Sequence, residues 1–180
     1  SLVDPVTGNY AVLAVSDDCT IESLSIAAES TNKTADAVYD YPNGMMDFNL
    51  DCGTPGFAAD ISQYYYKQDS KDLTLRKYNP ATKAYATIDS ASISTQSIAG
   101  QTVAKATYQV KDGSSLDLDN TVDGKIKDPS GLGAKVNSTL ASTGDNQQSA
   151  LIMVLVMSGL VSVAFAASNS FRRRKYIFRS

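Results

Sequence analysis

Hydrophobic positions in the first 110 residues recur in short runs that alternate with polar ones, the period of half-buried β-strands rather than of helices. Residues 10–15 (YAVLAV) are a brief apolar run suited to a buried strand. In Met45-Met46-Asp47-Phe48-Asn49-Leu50 the alternation is clean. It places Met46, Phe48 and Leu50 inward, with Cys52 in the same phase. Residues 19–27 (CTIESLSIA) begin likewise, with Cys19, Ile21 and Ser23 on one face before the phase becomes ambiguous. Segments 59–66, 73–78, 84–88, 91–98 and 102–110 are also strand-like, and alternation through Tyr64-Tyr65-Tyr66 is expected to expose Tyr65.

Turn signals stand between these segments. In Tyr41-Pro42-Asn43-Gly44, Pro presets φ at the first central position and Asn tolerates a left-handed second one. Gly53-Thr54-Pro55-Gly56, Gln68 to Asp72, Asn79-Pro80, Asp89-Ser90 and Ala99-Gly100 are further turns, and residues 28–37 read as a polar loop. Short strands with a turn about every ten residues predict an all-β, immunoglobulin-like β-sandwich over residues 10–130. The chain opens Ser1-Leu2-Val3, without an initiator Met or a signal-peptide pattern, so residues 1–9 read as a lead-in from an upstream region of a longer precursor. Residues 131–149 (GLGAKVNSTLASTGDNQQS) turn small and polar, as a flexible, disordered linker does.

Beyond residue 149 the pattern changes. Residues 150–167 (ALIMVLVMSGLVSVAFAA) are 18 consecutive residues without a charge. As a helix they extend about 27 Å, close to the hydrocarbon thickness of a bilayer, which predicts a single transmembrane helix over 150–168. Arg172, Arg173, Arg174 and Lys175 follow as a stop-transfer flank in a basic tail, residues 169–180. Charge is divided accordingly. Residues 1–149 hold all 19 acidic and 11 of the 16 basic residues, a net charge of −8. An acidic outer part with a basic inner tail suits a membrane-anchored exported protein, its tail cytoplasmic, and argues against nucleic acid as a partner.

Ahead of the apolar run stands Leu140-Ala141-Ser142-Thr143-Gly144. A Leu-x-x-Thr-Gly pentapeptide, a hydrophobic helix and a basic tail, in that order, resemble the cell-wall sorting signal recognised by sortases. Ala141 departs from the Pro of the commonest form. The resemblance implies that the chain is a sortase substrate. A sortase thiolate attacks the Thr143 carbonyl, and an amine from peptidoglycan precursor or a pilin lysine then replaces Gly144. A plain single-pass anchor with a coincidental Thr-Gly is the other reading of this end.

A second resemblance rests on Cys19, Tyr41-Pro42-Asn43-Gly44, Met46-Asp47-Phe48, Cys52 to Gly56, Tyr64 to Lys67, Tyr78-Asn79-Pro80 and the late run from Asp112-Gly113 to Asp128-Pro129-Ser130-Gly131. Together these are similar to the choice-of-anchor U domain of bacterial surface proteins, over residues 10–133. That resemblance implies display on the cell envelope, outside the plasma membrane or in the wall, and little about biochemistry.

Candidate chemistry is sparse. There are two cysteines, Cys19 and Cys52, and no histidine. In an exported chain a lone pair of cysteines reads as a disulfide, two reduced buried thiols being the alternative. Without histidine, and with no Gly-x-Ser-x-Gly pattern, no catalytic triad can be assembled, so the chain is not expected to be an enzyme. Residues 112–128 hold five carboxylates in 17 residues. Oxygen ligands spaced as Asp117, Asp119 and Asp123 can wrap Ca²⁺, although the spacing departs from an EF-hand and a solvated acidic turn is the preferred reading. No cofactor is required otherwise. The expected role is a structural or adhesive surface module. The alternatives are the stalk of a larger surface enzyme and a calcium-dependent carbohydrate- or protein-binding module.

Overall fold

A computed structural model describes residues 1–136 of the 180. The linker beyond Val136, the Leu140–Gly144 motif, the expected helix and the basic tail lie outside the described residues.

Among the described residues there are eleven strands: β1 (Leu2–Val3), β2 (Tyr10–Val15), β3 (Thr20–Ala27), β4 (Tyr39–Asp40), β5 (Met45–Asp51), β6 (Ala58–Tyr66), β7 (Leu73–Asn79), β8 (Ala84–Thr87), β9 (Ser92–Ile98), β10 (Gln101–Lys111) and β11 (Lys125–Lys135). They form two antiparallel sheets, ordered β1-β2-β6-β10-β9 and β3-β5-β11-β7-β8, with β4 also pairing β11. The all-β expectation holds, and the architecture is sandwich-like. Among the described residues no helix is long and apolar enough to cross a membrane.

The core follows from alternation. Met46, Phe48 and Leu50 of β5 are fully buried, as their pattern requires, and Cys52 continues their phase. Ile126 and Leu132 of β11 and Leu75 of β7 join them from the same sheet. From the other sheet come Ala11 and Leu13 of β2, Ala59, Ile61 and Tyr65 of β6, and Ala104, Ala106, Tyr108 and Val110 of β10. Burial of this apolar area, at about 25 cal/mol per Å², is the main force holding the sheets together. The Ala99-Gly100 turn is a two-residue hairpin joining Ile98 to Gln101, with positive φ at both turn residues.

Several expectations are corrected. Tyr65 is buried, not exposed, because Ala59 and Ile61 set the parity of β6, leaving Tyr64 and Tyr66 half-buried. The ambiguous phase of residues 19–27 has a structural cause: the β3–β5 register shifts between Ile21 and Ser23, so Leu24 and Ile26 take over the packed positions. Residues 1–9, read as a lead-in, are tied into the fold. β1 pairs with β2, and the buried Asp4 carboxylate accepts hydrogen bonds from the backbone N–H groups of Val6 and Gly44, both 2.9 Å, from Asn43 Nδ2 at 3.0 Å and from Thr7 Oγ1 at 3.1 Å. Asn43 is therefore an interior link with negative φ, not a left-handed surface position.

The largest correction concerns the end of the domain. Residues 125–135 are a central strand, β11, hydrogen-bonded to β5 on one side and β7 on the other. Gly131 reads as linker composition, yet its place is set by close packing: a Cβ there would lie 3.0 Å from Met45 Cα. The folded unit therefore extends five residues past the expected boundary at residue 130.

Gly44 is under a similar restriction. An added Cβ would meet Ile26 Cγ1 at 2.7 Å and the Ala27 carbonyl oxygen at 3.0 Å. Gly44→Ala is expected to destabilise the fold by about 1–3 kcal/mol, the usual cost of forced overpacking. Equilibrium urea unfolding measures it, and a midpoint equal to wild type would contradict the packing described.

Candidate functional site

The two cysteines are joined. Cys19 and Cys52 form a disulfide that ties the entry of β3 to the exit of β5, and no free cysteine remains. The reading of two reduced thiols is thereby set aside.

The three expected calcium ligands do not converge, and no group of three or more acidic or cysteine side chains at metal-binding spacing occurs among the described residues. Each is committed to backbone instead. Asp117 is fully buried and accepts from the N–H groups of Gly113, at 2.9 Å, and Lys127, at 3.0 Å. Asp119 accepts from the Thr121 N–H and Asp123 from the Lys125 N–H, each two residues on, as Asx turns do. The organising carboxylate of the loop is Asp112, which the sequence did not single out. It accepts from the N–H groups of Gly56 at 2.7 Å, Gly124 at 2.8 Å and Asp123 at 3.3 Å, joining three segments at one point. Burial raises its pKa, but the three N–H groups outweigh burial and hold it below the ordinary carboxylate value. Asp117 shifts the other way, pushed up by burial and by the charges of Asp119 and Asp112 against the pull of its two N–H donors. The acidic run is thus a structural clasp.

On the outer face of β7, Arg76 donates to Asp36 Oδ2 through both Nε, at 3.1 Å, and Nη2, at 2.9 Å, and to Thr87 Oγ1 at 2.7 Å. Its guanidinium lies 4.4 Å from the centre of the Tyr39 ring. Tyr41 donates to the same Asp36 oxygen, and Tyr85 donates to Glu29 while accepting from Asn32. These contacts fasten the polar segment 28–37 over the sheet. The Tyr78 ring lies tilted 4.8 Å from that of Tyr85, and its buried hydroxyl has no partner among the described residues. It lines a cleft of about 190 Å³ with Asn32, Met45, Leu118 and Pro129.

The most unusual chemistry is inside the core. Lys77 of β7 and Asp128 of β11 face inward, with Lys77 Nζ 2.6 Å from Asp128 Oδ1 and side-chain exposures of 7% and 0%. Tyr108, from the opposite sheet, donates a short hydrogen bond to Asp128 Oδ2, and Ser130 Oγ donates to the same oxygen at 3.2 Å. Gln63 Nε2 donates to Ser130 Oγ at 2.8 Å and to the Tyr108 hydroxyl at 3.1 Å, while Tyr65 donates to Gln63 Oε1 at 2.9 Å. The Tyr108 hydroxyl is driven far above an ordinary phenol by burial, then by the charge of Asp128 and its hydrogen bond. Every polar atom of this cluster is satisfied, as a buried network requires.

The signal for this cluster was available. Lys77 keeps the phase of Leu73 and Leu75, and Asp128 that of Ile126 and Leu132. Reading residues 112–128 as an acidic turn conceals it. The Leu140–Gly144 motif and Arg172 to Lys175 lie beyond the described residues. No protein-family model matches the chain, and no curated protein or solved structure matches it either.

Proposed function

We propose that this chain is a non-catalytic bacterial cell-surface module, immunoglobulin-like in class and similar to choice-of-anchor U domains, displayed by a sortase-type C-terminal signal. The observation that carries this is the order of three sequence features: Leu140-Ala141-Ser142-Thr143-Gly144, the uncharged run of residues 150–167 and Arg172-Arg173-Arg174-Lys175. A disulfide-stapled all-β unit ahead of them is the kind of fold that oxidising, extracellular conditions favour. The helix and basic flank hold the chain at the membrane with its folded mass outside. A sortase thiolate then cleaves after Thr143 and passes the acyl group to a peptidoglycan or pilin amine. The folded unit serves as spacer or adhesive surface and supplies no catalytic group.

Mass spectrometry of protein released from the wall of an expressing, sortase-bearing cell tests this. The expected product ends at Thr143 and carries a peptidoglycan or pilin fragment, and Thr143→Ala leaves the chain membrane-bound. Recovery of wild-type chains intact to Ser180 in the membrane fraction would overturn the sorting step.

A further inference from the structure

We propose that Lys77 and Asp128 are a self-crosslinking pair, in which the Lys77 amine condenses with the Asp128 carboxyl to form an intramolecular amide between β7 and β11. The inference goes beyond surface display and does not depend on it.

Position comes first. In the β7–β11 ladder Lys77 is opposite Ser130, so Asp128 is its diagonal neighbour on the same inward face. The ladder holds nitrogen and carboxylate 2.6 Å apart without further folding. Reactants fixed in this way need no encounter step, the advantage that gives intramolecular reactions their high effective concentrations.

Burial supplies the second requirement. At the exposed contact of Lys125 with Glu22, 2.8 Å apart with side-chain exposures of 48% and 40%, water competes for both groups. Burial of the pair keeps most competing water away, so the Lys77 nitrogen and the Asp128 carboxyl stay in contact with each other and with the Tyr108 and Ser130 hydroxyls.

The third requirement is stabilisation of negative charge on the carbonyl oxygen during attack. The Tyr108 and Ser130 hydroxyls already donate to Oδ2, the oxygen on which that charge develops. Gln63 steadies both hydroxyls.

The step balances without a co-reactant. One ammonium proton moves to Oδ1. The Nζ lone pair attacks Cγ, the C–N bond forms, and the Cγ–Oδ1 bond breaks. Oδ1 departs as water with the transferred proton and a second proton from nitrogen, and the third proton stays on nitrogen as the amide N–H, so that R–NH₃⁺ and R′–COO⁻ become R–NH–CO–R′ and one H₂O. Oδ2 remains as the amide oxygen and keeps its two donors. The remaining N–H has an acceptor at hand in the Lys127 carbonyl oxygen, 3.3 Å from Nζ. No oxidant, metal or nucleotide is consumed. Tension applied through residue 136 would load β11 first, and the amide would pass it to β7; that consequence alone rests on the surface-anchored reading.

Intact-mass measurement of the full-length chain after disulfide reduction tests the proposal, with peptide mapping. The folded wild type is expected to weigh one water less than its sequence requires, to resist trypsin at Lys77, and to yield a branched peptide joining the segments around Lys77 and Asp128. Lys77→Arg keeps a cation but lacks the nucleophilic amine and is expected to show its full sequence mass. Tyr108→Phe is expected to crosslink more slowly during refolding. Folded wild type of full sequence mass, cleaved normally at Lys77, would overturn the proposal. That outcome is read on the wild type alone, so it stands even if the Arg variant does not fold, and it is independent of processing at Thr143.

Discussion

Replacing Cys19 and Cys52 together by serine is expected to lower the stability of the folded unit by about 3–4 kcal/mol under oxidising conditions. The two residues are 33 positions apart, and the bond removes from the unfolded chain the many conformations in which those ends are separate. For a unit of this size the loss corresponds to about 10–15 °C in melting temperature. The folded geometry needs little change, because hydrogen bonding between β3 and β5 already brings Thr20 opposite Asp51. Adding reductant to the wild type should reproduce most of the effect, and reductant should leave the double variant unchanged. Equal denaturation midpoints for the oxidised wild type and the variant would show that the bond contributes nothing to stability.

Asp112→Asn is the second large effect. The wild-type carboxylate accepts three backbone N–H groups drawn from the Gly53–Gly56 turn and the approach to β11. Asparagine retains one acceptor oxygen and turns an NH₂ group toward donors, so at least one buried N–H loses its partner. With hydrogen bonds to a charged group contributing about 1.5–3 kcal/mol each, the expected loss at neutral pH is about 2–4 kcal/mol.

The sign of the pH dependence is a sharper test. The folded-state pKa of Asp112 lies below the ordinary carboxylate value, so its contribution is fully present above the unfolded value and disappears as pH falls through the folded one. Wild type and variant should therefore converge in acid below about pH 4, not near neutrality. Asp117 acts with the opposite sign. Its raised folded pKa stabilises the protonated form, a contribution present below the unfolded value and lost as pH rises through the folded one. A constant difference between wild type and Asp112→Asn across the acid range would contradict the carboxylate's role.

The interior amide makes a separate demand on the same fold. If Lys77 and Asp128 are joined, strand β11 is held to β7 by a bond as well as by a ladder, and the disulfide holds β3 to β5. The two links would lie in one sheet, the one that leads to residue 136. Serine at positions 19 and 52 removes only one of them, so the fold is expected to survive that substitution.

Much of this architecture was legible in local pattern. Met46, Phe48, Leu50 and Cys52 share a phase and are buried together, and Ala99-Gly100 turns where its residues allow positive φ. Period-two alternation reports the pleat, and turn chemistry reports φ; both are properties of neighbouring residues. Tyr65 was misplaced because three successive tyrosines carry no phase of their own, so parity had to be taken from Ala59 and Ile61.

Strand β11 eluded the same reasoning for a different reason. Its Gly131 and Gly133 resemble linker residues, and its inward positions include Asp128 and Ser130, which in isolation suggest solvent. They are tolerated only because Met45 and Tyr39 press against the glycines while Lys77 and Tyr108 satisfy the carboxylate. Those partners are some 20–90 positions away along the chain. Composition and order alone establish the strand-rich body, the cysteine pair as the sole candidates for a staple, and the apolar and basic segments behind it. Which carboxylates clasp backbone and which one meets an amine was decided by the pairing of β7 with β11 and by the packing of the second sheet over them, since partners distant along the chain are long-range facts that no local pattern encodes.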